Sequence, residues 1–191
     1  QGTRDPIVPV ENGDRIVKKK MDGTDQTTFG SYGSGVGQFK DPAGVWYDST
    51  DGYIYISDTY NNRIVKTQMD GTGWTELSGF SIPQGIYYDS SSGYIYVADR
   101  GNNRIVKTKM DGTGWTTLGS SGSGDLQFRY PQSIYYDASS DYIYVADTDN
   151  NRIVYGGGGI TPDIIVKETI TGNIVIQLLS QSVFFDFAVD Y

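Results

Sequence analysis

Aspartate and arginine recur in this chain at fixed offsets, so their chemistry is weighed first. Asp58, Asp99 and Asp147 each stand five residues before an arginine, Arg63, Arg104 and Arg152, with an Asn-Asn pair between. A second set, Asp48, Asp89 and Asp137, stands 15 residues before the same arginines, and Asp186 falls in the matching place near the C-terminus. Carboxylates at symmetric positions have two uses. They accept backbone N–H groups at turns, or they gather round a hard cation such as calcium. We adopt the turn reading, with Asp58, Asp99 and Asp147 accepting N–H groups of the Asn-rich turn, and expect no metal site. An arginine repeated in every unit, from Arg15 onward, reads as a tie between units.

Other chemistries are removed by composition. The 191 residues include no histidine and no cysteine, so there is no His-based nucleophile pair, no His/Cys zinc site and no disulfide. Catalysis would have to run on carboxylate, lysine or tyrosine, and the expectation is that the protein is not an enzyme and needs no cofactor. A net charge of −8, from 15 basic and 23 acidic side chains, opposes nucleic-acid binding, which depends on clustered Lys and Arg. No apolar run approaches the roughly 18 residues of a membrane span, so no membrane insertion is expected.

The elements that must position these residues are repeats. IYISDTYNNRIVKTQMDGTGWTEL returns as IYVADRGNNRIVKTKMDGTGWTTL and in part as IYVADTDNNRIV. The arginines at 15, 63, 104 and 152 are spaced by 48, 41 and 48 residues. The short step reflects a trimmed connector: GSYGSGVGQFKDP and GSSGSGDLQFRYP precede two units, and only SGFSIP precedes the unit between them. At the ends, IVPVE from Ile7 to Glu11 sits where IYVAD belongs, and SQSVFFD ending at Asp186 matches PQSIYYD ending at Asp137.

Within a unit, GVWYD, YIYIS, RIVKT and GWTEL are short, rich in Val, Ile, Tyr and Trp, and bounded by Gly, Asp and Asn, which predicts four strands. Asp-Gly at Asp22-Gly23, Asp70-Gly71 and Asp111-Gly112 predicts a tight hairpin between the third and fourth strands, with positive φ at both residues. Asn-Asn turns the second strand into the third. Runs such as YIYVA lack clean alternation, so the sheets should be covered on both faces, as in sheets stacked in a ring.

P-x-G-I-x-x-D, I-Y-V-A-D and N-N-R-I-V-K together resemble the NHL-repeat family of β-propellers. The resemblance implies an all-β fold of four-stranded blades, four blades' worth, as a closed ring or an open arc completed by another chain. It places propeller blades at 1–155 and a Gly linker with a divergent β tail supplying the closing strand at 156–191. The closing pair is then Val183, Phe184 and Phe185 against Ile7, Val8 and Val10. Positions that differ among otherwise identical units are the candidates for recognition: Tyr60, Arg100 and Asp149, in the turns between the second and third strands. The inner-strand aromatics Trp46, Tyr87, Tyr135 and Phe184, then Tyr47, Tyr88, Tyr136 and Phe185, read as packing between blades, as do Trp74 and Trp115 on the outer strand.

The function expected from these residues is a non-catalytic interaction or assembly module. It would be an extracellular or cell-surface structural protein that self-associates head to tail as a homo-oligomer or polymer, with a protein or carbohydrate partner. The alternatives are a calcium-dependent propeller hydrolase or lyase, and a closed monomeric ligand-binding propeller.

Overall fold

The computed structural model describes residues 14–157, almost entirely as β-strand and tight turn. A first, partial blade contains β1 (Ile16–Lys18) and β2 (Thr27–Phe29). A connector follows in which β3 (Ser31–Tyr32) pairs in parallel with β4 (Gln38–Phe39). The second blade is β5 (Pro42–Tyr47), β6 (Ile54–Asp58), β7 (Arg63–Thr67) and β8 (Thr75–Ser78). The third is β9 (Pro83–Asp89), β10 (Tyr94–Asp99), β11 (Arg104–Thr108) and β12 (Thr116–Leu118). A second parallel connector pair, β13 (Ser120–Ser121) and β14 (Gln127–Phe128), leads to a fourth blade of β15 (Pro131–Asp137), β16 (Tyr142–Asp147) and β17 (Arg152–Gly157). Both complete blades are antiparallel meanders in chain order, and the neighbouring inner strands β5, β9 and β15 pack side by side.

The stacking explains why the second strands read as unbroken apolar runs. Every residue of β6 is buried. Ile54 and Ile56 face the first blade, in a core with Ile16, Phe39 and Val65. Tyr55 faces the other way, into a core with Ile64, Phe80, Ile86, Ile95 and Val97. The third such layer joins Tyr96, Ala98, Phe128, Ile134 and Val145. Burying each large aliphatic or aromatic side chain is worth about 1.5–3 kcal/mol, so blades that could not stand alone are held by their neighbours. Glycine permits the closest approach. A methyl on Gly85 would lie 2.7 Å from the Gln132 carbonyl oxygen, and one on Gly44 would run into that of Gln84.

One turn expectation is corrected and another is given its form. At the Asp-Gly hairpins only the glycine takes positive φ, 84° at Gly23, 84° at Gly71 and 81° at Gly112. Gly71 N–H donates to the Gln68 carbonyl at 3.0 Å, and the Asp70 carboxylate accepts from Thr72 N–H at 2.9 Å. The aspartate thus serves as an acceptor and does not supply a left-handed residue. The Asn-Asn turn is a single 3-10 turn, Thr59–Asn61, Arg100–Asn102 and Thr148–Asn150, closed by Asn62, Asn103 and Asn151 in the left-handed region, which asparagine tolerates better than most residues.

Candidate binding rim

One end of the second, third and fourth blades gathers the repeated aspartate, arginine and asparagine with the connector that enters the blade. The Asp58 carboxylate is fully buried and takes three donors: Lys40 N–H at 2.7 Å, Asn61 Nδ2 at 2.8 Å and Arg63 Nε at 2.7 Å. Asp99 takes Ser81 N–H, Asn102 and Arg104, and Asp147 takes Arg129 N–H, Asn150 and Arg152, at 2.6–2.9 Å. The backbone donor is in the connector, 18 residues away in sequence, and not in the turn as the sequence reading had it. The buried carboxylate has no water to turn to, so it takes the N–H that the connector brings to it.

A further link fixes each connector. Asn62 Oδ1 accepts from Ile82 N–H at 2.8 Å and Asn103 Oδ1 from Tyr130 N–H at 2.9 Å, and Asp14 does the same for Asp41 at 2.7 Å. Asp41, Ile82 and Tyr130 all have positive φ, 49–51°, each directly before the proline that opens an inner strand. For isoleucine this is a strained conformation, held by the asparagine of the preceding blade. Thr59 Oγ1 adds a bond to the Pro83 carbonyl at 2.9 Å. Nothing in the local sequence announces these contacts, which span 20–27 residues.

The arginines are ties, as expected, but to connectors. Arg63 donates to the carbonyls of Ser34, Gly35 and Gln38, and Arg152 to those of Ser123, Gly124 and Gln127. Arg15 is exposed. Asp48, Asp89 and Asp137 close the turn after each inner strand: Asp48 accepts from Thr50, Asp89 from Ser91 and Ser92, and Asp137 from Ser139 and Ser140. Burial pushes the Asp89 carboxyl up, but the Ser92 and Ser91 donors outweigh it and hold it below the usual range.

The candidate residues divide into two kinds. Tyr60 and Asp149 occupy one position of the turn, and both are exposed, Tyr60 at 62%. Their N–H groups bond the Lys40 and Arg129 carbonyls, so the side chains project from a fixed frame. Arg100 occupies the position of Thr59 and is half-buried, its guanidinium 4.6 Å from the centre of the Tyr130 ring. The three therefore do not converge on one spot. Lys40 adds a second cation–aromatic pair on this rim, 5.6 Å from the exposed Tyr32 ring.

The described inner-strand aromatics pack between blades as expected, except Tyr47, which is 51% exposed. Trp46 meets Tyr87 at 4.4 Å and Tyr87 meets Tyr135 at 5.2 Å, while Tyr55 stacks on Tyr88 at 4.1 Å and Tyr96 on Tyr136 at 4.2 Å. Burial pushes the Tyr87 hydroxyl up to about 12 and those of Tyr55 and Tyr96 higher still. Trp74 packs on Phe39 and Trp115 on Phe80. Ile7, Val8, Val10, Val183, Phe184, Phe185 and Asp186 lie outside the described residues. Among the described residues no three His, Cys, Asp or Glu side chains gather as they would to hold a metal ion, and no helix is long and apolar enough to cross a membrane.

Comparison with known proteins agrees with this geometry. Residues 80–107 and 128–154 match the NHL repeat model. No curated protein matches the chain by sequence. A chain in the crystal structure of a nidogen/laminin complex superimposes with a TM-score of 0.60 at 26% identity, covering 75% of this chain and 51% of that one. Catalytically inactive virginiamycin B lyase from Staphylococcus aureus, with quinupristin, gives 0.55 at 21% identity, covering 77% and 47%. An auxiliary nutrient binding protein from Bacteroides thetaiotaomicron gives 0.53 at 16%, covering 75% and 43%. The chain thus spans about half the length of these structures. The resemblance to NHL-repeat propellers holds, and the last two likenesses are of fold alone.

Proposed function

We propose that this chain, which carries NHL repeats on a β-propeller arc, is a non-catalytic interaction module that takes protein partners on the rim bearing Tyr60, Arg100 and Asp149. The observation that carries the reading is that three turns of nearly identical backbone, each hung on a buried aspartate, present different side chains. A scaffold held constant while its exposed tips vary is an arrangement for recognition. The likeness to a chain crystallised in a nidogen/laminin complex supports a protein as partner. A photo-reactive residue at Tyr60 should form protein adducts in a native extract, while one at Asp70, in the Asp-Gly hairpin beyond the other end of the strands, should not. Equal labelling at both would refute the rim assignment, and chelator-sensitive lyase or hydrolase activity with stoichiometric calcium would replace the reading altogether.

The proposal extends to head-to-tail self-association through the terminal blade. Tyr47 occupies the position at which Tyr88 and Tyr136 stack on the preceding blade, yet it is 51% exposed, beside Val45 at 48%. At the other end, Tyr144 occupies the position of Tyr55 and Tyr96 and has no later inner strand to stack on among the described residues. In this proposal the two faces are covered by a strand carrying Val183, Phe184 and Phe185, completed by Ile7, Val8 and Val10. Sedimentation of the intact chain beside a version ending at Ser180 tests this. Assemblies lost on truncation support it, and an intact chain that stays monomeric at high concentration refutes it. An extracellular setting belongs to the same proposal, and cell fractionation of the native source checks it.

A further inference from the structure

Three blades carry the same Asp-Asn-Arg cluster, and two of them use it to grip a loop of the chain itself. In the second blade Asn61 Nδ2 donates to the Gly33 carbonyl at 2.8 Å, and Arg63 donates to Ser34 at 2.9 Å, Gly35 at 3.3 Å and Gln38 at 2.8 Å. The fourth blade repeats this residue for residue. Asn150 reaches Gly122 at 2.8 Å, and Arg152 reaches Ser123 at 2.9 Å, Gly124 at 3.0 Å and Gln127 at 2.6 Å. In both, a Gly-Ser-Gly turn offers three successive carbonyls and a glutamine three residues on offers a fourth. The first glycine has an extreme φ, 147° at Gly33 and 151° at Gly122.

The third blade has the donors and lacks the loop. Ser31–Gln38 separate Gly30 from Phe39 and Ser120–Gln127 separate Gly119 from Phe128, but Gly79 is followed directly by Phe80. Arg104 keeps its bond to Asp99 and gives Nη2 to the Gly79 carbonyl at 3.1 Å. Among the described residues its Nη1 has no acceptor, and Asn102 Nδ2 bonds only Asp99. The Arg104 side chain is 27% exposed, against 8% for Arg63 and 9% for Arg152. Asn102 is exposed where Asn61 and Asn150 are half-buried. The apolar base is still present: Trp115 packs on Phe80 at 5.1 Å, with the Arg104 guanidinium 6.0 Å from its ring.

We propose that this notch is a binding site for a Gly/Ser-rich turn of a partner protein, taken through its backbone carbonyls by Arg104 and Asn102. A planar guanidinium fork next to an amide is a donor set for carbonyl oxygens, and the two sister blades show which backbone fills it. The site lies beside the turn bearing Arg100, so the inference deepens, and rests on, the reading of this rim as a protein-binding surface.

The test uses the full chain and a capped octapeptide with the sequence of residues 31–38, whose free ends carry no charge. Titration should shift the Arg104 Nε–H and Asn102 Nδ2 resonances saturably. Arg104→Lys, which keeps the charge and loses the fork, should weaken binding at least tenfold, as should alanine in place of the peptide's first glycine. A second variant guards against misfolding: the same eight residues inserted between Gly79 and Phe80 should fill the notch, keep the fold and abolish peptide binding. No shift at millimolar peptide, or equal binding by the insertion variant, overturns the proposal. Acetate producing the same shifts at the same concentration would mark a carboxylate site and also overturn it. If Tyr60 still forms protein adducts while the notch fails these tests, this inference falls and the rim reading stands.

Discussion

Removing the buried carboxylate from the second and third blades should cost different amounts, and the structure says why. In Asp58→Ala, Lys40 N–H, Asn61 Nδ2 and Arg63 Nε all lose the carboxylate; Asn61 keeps the Gly33 carbonyl and Arg63 keeps Glu76 at 2.8 Å, but the Arg63 side chain, 8% exposed, cannot turn to water. Breaking one partner of a buried pair costs about 3–5 kcal/mol, and the carboxylate of Glu76 that stays on Arg63 puts this loss at the lower end of that range. In Asp99→Ala the same three kinds of donor are orphaned. Arg104, however, is already 27% exposed, so its charge is resolvated and the remaining loss is about 1–3 kcal/mol for the buried polar groups.

The expected gap is about 1 kcal/mol, or roughly 2–4 °C in Tm for a unit of this size. Arg100→Ala removes only a cation–aromatic contact at 4.6 Å, worth about 0.5–1 kcal/mol at a partly exposed site. Urea unfolding of the three variants, with slopes compared to show that the two-state description holds, measures all of this. The reasoning is refuted if Asp58→Ala and Asp99→Ala agree within about 0.5 kcal/mol, or if Asp99→Ala costs no more than Arg100→Ala.

Three other expectations follow from single contacts. Ser57 Oγ is buried with no hydrogen-bond partner among the described residues, and the sister blades place Ala98 and Ala146 there, so Ser57→Ala should stabilise by about 1 kcal/mol; a lower urea midpoint would contradict this. Gly44→Ala and Gly85→Ala should each destabilise by more than about 2 kcal/mol, because the new methyl meets the next inner strand's backbone, whereas Ser133→Gly at the same position should be tolerated; calorimetry on the three decides. Tyr55, Tyr87 and Tyr96 have their hydroxyls pushed up by burial, so the folded state holds protons that the unfolded state releases, and their contribution is fully present below about pH 10 and lost above it. Tm followed from pH 9 to about 12 should fall, with a smaller fall in Tyr87→Phe; a flat profile would mean these hydroxyls titrate freely.

The strands and blade order were legible because each rests on local pattern: β-branched and aromatic runs, Gly and Asn at the bends, and one unit written three times. What the sequence hid lies across blades. The acceptor role of Asp58 was plain, but its donor, Lys40 N–H, sits in a segment that looks like loop. The left-handed backbone at Ile82 could not be read at all, since isoleucine before proline predicts extended chain. Only the Asn62 side chain from the preceding blade makes it tolerable. Arg100 was grouped with Tyr60 and Asp149 because all three lie between Asp and Asn-Asn, yet one position of offset turns it toward Tyr130. The notch at Arg104 had a signal, the trimmed connector SGFSIP, whose meaning needed the sister loops to be seen gripping the same side chains.

The cross-blade links also decide where variation can be accommodated. Each connector is pinned at its inner end by the aspartate of the blade it enters and the asparagine, or Asp14, of the blade it leaves, so its last residues keep one conformation whether the connector is long or short. Ile82, in the shortest connector, has the same φ as Asp41 and Tyr130 within 2°. Eight residues can therefore be absent between Gly79 and Phe80 without disturbing the inner strand at Pro83, because the strand's entry is set by Asn62 and Asp99 and not by the loop. That independence lets the rim carry different side chains and a different groove at each blade while the stack of tyrosines beneath it stays the same. Strain at Ile82 is the cost, and it is confined to the one residue whose N–H the neighbouring blade holds.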